Sequence, residues 1–199
     1  MKKYSLLFLS TLLLTSCQLF PSQTSSNATP TPLKFISPSP STSIIVSPTI
    51  NLKPNMEPIV KLSTSKGDIL IKLYPEKSPN TVKNILAKAE SGFYKNLSFH
   101  RVEPGFVIQG GDPLGNGTGG GKIDSEINDV PFKRGSVGLA RGMDRAVSND
   151  AQFYICLATE TCSHLSNEYV NFGEVIEGMD VVDKIAVGDK ILDLSDNTK

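Results

Sequence analysis

The chain has 199 residues, with 20 basic and 20 acidic side chains and a formal net charge of zero. That length allows one domain of ordinary size plus extra segments, and the balanced charge leaves no basic footprint for nucleic acid. Its three cysteines, Cys17, Cys156 and Cys162, form no Cys-x-x-Cys pair, and only His100 and His164 are available to join them, which argues against a metal site.

Lys2 and Lys3 precede an apolar run, Leu6–Leu9 and Leu12–Leu14, followed by small residues. This is the layout of a secretory signal, and the run is too short for a comfortable membrane span. It ends Leu14-Thr15-Ser16-Cys17, which resembles the bacterial lipobox. The resemblance implies a signal peptide over 1–16, acylation of Cys17 and an extracytoplasmic, membrane-anchored chain in a bacterial cell envelope. Gln18 behind the cysteine resembles the sorting signal for the outer membrane. Removing 1–16 leaves 18 basic and 20 acidic side chains. The alternative is an ordinary signal peptide with an incidental cysteine.

Residues 17–56 read as a tether. Eight of the thirteen prolines lie between Pro21 and Pro58, among Ser, Thr and Asn, with few charges and scattered apolar residues such as Ile44-Ile45-Val46. Such a segment buries too little apolar surface to offset its ordering entropy. Some 40 residues reach about 35 Å as a flexible coil and on the order of 120 Å in polyproline form.

The domain starts near residue 57. Ile59–Leu62 and Ile69–Leu73 flank Ser65-Lys66-Gly67-Asp68, a hairpin pattern. Ser78-Pro79 is a helix start, Val82, Ile85, Leu86 and Ala89 form an apolar stripe, and Gly92 closes it. Phe99–Asp112 reads as two short strands joined at Pro104-Gly105, a type II turn pair. Alternation places Phe99 with Arg101 on one face, and Val107 with Gln109 on one face of the second strand. If the faces coincide, a guanidinium sits beside an apolar patch. That surface suits a mostly apolar ligand with one lone pair to satisfy.

Pro113–Ile123 is a glycine-rich loop. Its formal Gly-x-Gly-x-x-Gly match at Gly115, Gly117 and Gly120 lacks the βαβ setting of a dinucleotide site. Asp124, Glu126 and Asp129 read as a solvated acidic turn. Further strands fall at Gly135–Ala140, Gln152–Ala158, Val170–Ile176 and Ile191–Leu194. A second helix follows Gly178, with Met179, Val182, Ile185 and Ala186 inward. Short strands, Gly-rich turns and two helices predict a mostly β domain over 57–199, a closed antiparallel barrel capped by two α-helices.

Phe99-His100-Arg101 through Gln109-Gly110-Gly111-Asp112, together with Gln152-Phe153-Tyr154-Ile155 and Phe172-Gly173-Glu174-Val175, resembles the cyclophilin family of peptidyl-prolyl cis–trans isomerases. The likeness runs from about Glu57 to Leu194 and implies an eight-stranded barrel with a surface groove for proline. It puts Arg101 in the catalytic arginine's place, with Phe106 on the proline pocket and Gln109 holding the arginine. Val107, Tyr154 and Leu165 take places lining the pocket, with Val107 where methionine is common and Tyr154 where phenylalanine is. Ala140, Arg141 and Gln152 match the groove beside it. Arg141 stands in place of asparagine, His164 of tryptophan and Tyr169 of histidine. The resemblance implies no cofactor and no metal.

The leading expectation is a monomeric prolyl isomerase, lipid-anchored to the membrane, that acts on proline-containing polypeptides and assists extracytoplasmic folding. A proline-binding module with little turnover and a structural lipoprotein are the alternatives. An Arg beside a Gln is by itself an ordinary sheet-surface pair, and Phe106 and Tyr154 by themselves are ordinary core. Cys156 and Cys162 leave two readings open, a disulfide that an extracytoplasmic domain permits or a buried free thiol at Cys156.

Overall fold

In the computed structural model, residues 57–198 are described. The signal, lipidation and tether readings lie outside them. The elements in order are β1 (Ile59–Thr64), β2 (Gly67–Leu73), α1 (Pro79–Glu90), β3 (Arg101–Glu103), β4 (Val107–Gly110), β5 (Lys122–Asp124), β6 (Ser136–Arg141), β7 (Val147–Cys156), α2 (Thr159–Cys162), a 3-10 turn (Ser163–Leu165), β8 (Asn171–Glu177), α3 (Met179–Val182) and β9 (Ile191–Asp196). Eight strands form one antiparallel sheet in the order β3-β4-β7-β6-β8-β2-β1-β9, and β5 pairs with the start of β7.

The sheet curls into a half-barrel. The expected closed barrel is open, because β3 and β9 end the sheet without pairing to each other. β3 has only three residues. The chain just ahead of it crosses the gap, with Phe99 N–H donating to Asp189 O at 2.9 Å and Ile191 N–H to Leu97 O at 2.8 Å. Ser98 bridges both Asp112 and Lys190 there. Phe99 therefore does not share a face with Arg101. It is fully buried in the core, because regular alternation starts only at Arg101.

The α1 stripe behaves as its spacing predicts, with Val82, Ile85, Leu86 and Ala89 all buried. Gly92, at φ 71°, ends the helix. Phe93 N–H reaches Lys88 O and Gly92 N–H reaches Ala89 O, both at 3.0 Å, the paired bonds of a Schellman stop. The helix starts at Pro79 with Ser78 at the N-cap position, as Ser78-Pro79 predicts, but the capping bond differs. Ser78 makes no side-chain cap. It is buried, and its hydroxyl donates to Tyr74 O. Glu126 takes the role from 45 residues beyond Thr81: its carboxylate accepts from the N–H groups of Asn80 at 3.0 Å and Thr81 at 2.8 Å. Asp129 pairs instead with Lys77 at 2.7 Å, so the acidic turn is divided between two tasks.

Three further elements correct the sequence reading. β5 forms at the end of the glycine-rich stretch. α2 and its 3-10 turn form between β7 and β8, where the sequence pattern marks no helix. The last helix is a single turn, Met179–Val182, so Ile185 and Ala186 lie beyond it; Val182 and Ile185 are buried but Ala186 is exposed. Cys156 and Cys162 are joined as a disulfide across Cα atoms 6.2 Å apart, a span within the normal range. The bond fastens α2 to the end of β7.

Strand alternation divides the apolar side chains into two clusters. Ile108 of β4, Val137 and Leu139 of β6, and Phe153 and Ile155 of β7 point into the half-barrel with the α1 stripe. Val107, Tyr154 and Cys156 point the other way and meet Phe132, Cys162 and Leu165. The second cluster lies on the outer face of β4-β7-β6, roofed by α2 and its turn.

Glu126 is a remote cap that also places negative charge at the helix N-terminus. Glu126→Ala should therefore lower unfolding stability by about 1 kcal/mol in urea melts. No change would show that water replaces the carboxylate at no cost.

Candidate active site

Arg101 pairs in register with Gln109, and Glu103 with Val107, so the two faces inferred from alternation do coincide. Gly105 sits at φ 73° in the connecting turn, closed by Phe106 N–H donating to Glu103 O at 2.9 Å. Its positive φ is what a type II turn requires.

The guanidinium is held from two sides. Nη1 donates to Gln109 Oε1 at 3.1 Å. Nε and Nη2 both donate to Glu103 Oε1, at 2.9 and 2.8 Å. Behind Gln109, a buried relay fixes the direction of each amide. Gln152 Nε2 donates to the carbonyls of Gly117 at 3.1 Å and Gly119 at 2.8 Å. Its Oε1 must then accept, and it does so from Gln109 Nε2 at 2.9 Å. Gln109 is left presenting its oxygen to Arg101.

Beside this relay is a cavity of about 290 Å³. That is near the low end of small-molecule sites. Val107, Tyr154 and Leu165 form its buried apolar wall, and Phe106 lies half-exposed at the rim. His164, carried by the 3-10 turn, stacks on Phe106 with ring centroids 5.7 Å apart. Arg101 also approaches the Phe106 ring, its Cζ 5.9 Å from the centroid. Ala140, Arg141 and Tyr169 complete the far side. Arg141 lies over the Tyr169 ring at 4.4 Å and is paired with Glu168 at 3.6 Å. Gln152 is the exception among the expected residues: it is buried behind Gln109 and does not line the cavity.

Tyr154 forms the buried floor, stacked on Phe132 at 5.8 Å and edge-on to Tyr169 at 6.0 Å. Gly138 makes this possible, since a Cβ there would lie 2.5 Å from the Tyr154 ring carbon Cζ. The Tyr154 hydroxyl is buried with no hydrogen-bond partner among the described residues. Burial pushes its pKa well above 10, with Tyr169 raising and Arg141 lowering it.

His100 faces away from Arg101, beneath the glycine loop near Gly117. Burial lowers its pKa from 6.5, against the upward pull of Asp112, and Arg101 lowers it further. Asp112 organises that loop. Its carboxylate accepts from the N–H groups of Leu114 and Asn116, each at 2.9 Å, and from Gly117. Burial raises the Asp112 pKa, but these backbone donors and His100 outweigh it, and the net shift is downward.

Two contributors escaped the sequence reading. Glu103 shares the Arg101 face at i+2 spacing, a signal that was present but reads as ordinary strand surface. Phe132, from a loop, had no periodic pattern to mark it. The orphan hydroxyl yields a direct expectation: Tyr154→Phe should stabilise the domain by about 1 kcal/mol. The thermal midpoint should rise by about 3 °C. A fall in midpoint would mean the hydroxyl has a partner in solution.

The family model for cyclophilin type peptidyl-prolyl cis-trans isomerases matches residues 59–197. A peptidyl-prolyl cis-trans isomerase of Helicobacter pylori is 41% identical over 137 residues, 65% of this chain and 81% of that one. One of Synechococcus elongatus is 41% identical over 135 residues, 66% of this chain and 90% of that one. The crystal structure of a Cryptosporidium parvum cyclophilin type isomerase, determined in the presence of the dipeptide Ala-Pro, superposes with a TM-score of 0.65 at 31% identity. It covers 71% of this chain and 99% of its own. With the half-barrel, the arginine relay and the apolar cavity on one face, these matches establish that the chain belongs to the cyclophilin-type peptidyl-prolyl cis-trans isomerases.

Proposed function

We propose that Arg101 carries the isomerase step, and that the domain acts on proline-containing polypeptides outside the cytoplasm, anchored through Cys17. The observation that carries the catalytic reading is the Arg101 guanidinium, hydrogen-bonded to Gln109 at the rim of an apolar cavity. Amide resonance holds the X–Pro bond planar behind a barrier of about 18–20 kcal/mol. No bond has to break. A catalyst need only favour the twisted state over both planar ones. In that state the proline nitrogen regains its lone pair, and a guanidinium N–H can donate to it. Val107, Phe106, Tyr154 and Leu165 hold the ring by apolar contact while the preceding carbonyl swings. Arg141, Ala140, Tyr169 and His164 border the path of the flanking peptide. The presence of Ala-Pro in the Cryptosporidium crystal supports this class of ligand.

For the compartment, two independent features agree. One is the lipobox-like Leu14–Cys17. The other is the Cys156–Cys162 disulfide, a bond that oxidising compartments favour and the cytosol disfavours. Stable anchoring by acylation takes more than one chain, so several acyl groups on Cys17 are implied. Assistance to extracytoplasmic folding follows from that location together with the isomerase activity.

The catalytic reading is tested with a protease-coupled isomerisation assay on an X–Pro peptide. Arg101→Ala should lower kcat/KM by about 100-fold, the scale of losing one transition-state donor, with the circular dichroism spectrum unchanged. Arg101→Lys should rescue little, because a point charge cannot bond Gln109 and the substrate as a planar fork does. Near-native turnover in folded Arg101→Ala would overturn it. For the anchor, Cys17→Ser should stay unprocessed and take up no labelled lipid. Native protein that fractionates as soluble without detergent would refute anchoring.

A further inference from the structure

We propose that Glu103 is a positioning residue for catalysis, the clamp that fixes the plane of the Arg101 guanidinium. The inference rests on the catalytic reading of Arg101. An arginine side chain has several rotatable bonds, and a single hydrogen bond from Nη1 to Gln109 leaves the fork free to swing about that contact. Glu103 removes the freedom. Its Oε1 takes Nε and Nη2 together, at 2.9 and 2.8 Å, on the edge of the guanidinium away from Gln109. Two anchors on different edges define a plane, as one cannot.

The donor inventory leads to the same place. Of the five guanidinium N–H groups, Glu103 engages one on Nε and one on Nη2, and Gln109 engages one on Nη1. One N–H on each terminal nitrogen remains for substrate. Glu103 thereby turns a five-donor cation into a two-pronged donor of fixed orientation.

Half-exposed ion pairs ordinarily contribute little, because ordering two long side chains offsets the attraction. Arg101 and Glu103 side chains are 43% and 51% exposed, so the pair is of that kind. Two features distinguish it. Arg101 and Glu103 lie at i and i+2 on β3, which places both on one face without loop ordering. Arg101 is also already restrained by the buried amide relay, so Glu103 closes a network rather than forming an isolated pair. The carboxylate further offsets the positive charge at the cavity rim. Loss of that charge alone would shift KM according to peptide charge, whereas loss of the clamp lowers kcat.

The test measures kcat and KM separately on an uncharged X–Pro peptide, using the full chain. Glu103→Ala should lower kcat by about five- to tenfold with KM unchanged, the scale of losing a charge-assisted hydrogen bond at a half-exposed site. Glu103→Gln, whose amide oxygen still accepts, should fall between. Salt near about 1 M should bring the wild type toward Glu103→Ala, because the pair is screened. In an Arg101→Ala background, Glu103→Ala should change nothing, which a general structural role would not predict. If Glu103→Ala perturbs folding, the Glu103→Gln and salt measurements carry the test. A kcat within twofold of wild type in both Glu103 variants, with Arg101→Ala inactive, overturns the clamp and leaves the catalytic reading intact. Near-native activity in Arg101→Ala overturns both.

Discussion

The period-two alternation along β7 is the constraint on which both layers of the molecule depend. This strand is hydrogen-bonded on both edges, to β4 and β5 on one side and β6 on the other. Phe153 and Ile155 fill the half-barrel, while Tyr154 forms the floor of the site and Cys156 anchors its roof. A one-residue slip would exchange the two sets, placing the tyrosine in the core and exposing a phenylalanine at the groove. Core and site are therefore not separable features. Register in the sheet specifies both at once.

On that floor, the polar part of the site is organised by direction rather than by strength. Two loop carbonyls, Gly117 O and Gly119 O, accept from Gln152 and so settle which end of that amide faces Gln109. The choice passes through Gln109 to Arg101 without a mismatched donor or acceptor. Asp112 holds the same loop by its backbone N–H groups, so a loop on the rim of the barrel sets which end of the Gln109 amide faces the arginine. A half-satisfied network here would be costly, since Gln109 and Gln152 are almost fully buried. The apolar wall contributes in the opposite way. It tolerates a Tyr154 hydroxyl without a partner among the described residues, which stability disfavours, in return for a broad aromatic floor.

The disulfide links these layers to the rim. Joining Cys156 to Cys162 seats α2 against the end of β7, and the following turn carries His164 onto Phe106 and Leu165 into the wall. One covalent bond thus sets the height of the roof relative to the floor.

Much of this was legible in local pattern. The hairpin at Pro104-Gly105, the α1 stripe with its glycine stop, and the shared face of Arg101, Val107 and Gln109 follow from turn chemistry and periodicity, which neighbouring residues fix between themselves. Long-range partners are another matter. Glu126 capping α1 across 45 residues, Gln152 lying behind Gln109 rather than on the groove, the open seam bridged by Ser98, and Phe99 turned into the core depend on which segments the fold brings together. The linear sequence alone determined most of the strands, the α1 helix with its buried stripe and the shared face of Arg101 and Gln109, because backbone geometry and spacing are local properties, while the X–Pro chemistry was read from the resemblance to the cyclophilin family. Only the tertiary structure decided who caps whom, where the barrel stays open and which amide oxygen faces the arginine, because those outcomes depend on donors and acceptors that meet only after the chain has folded.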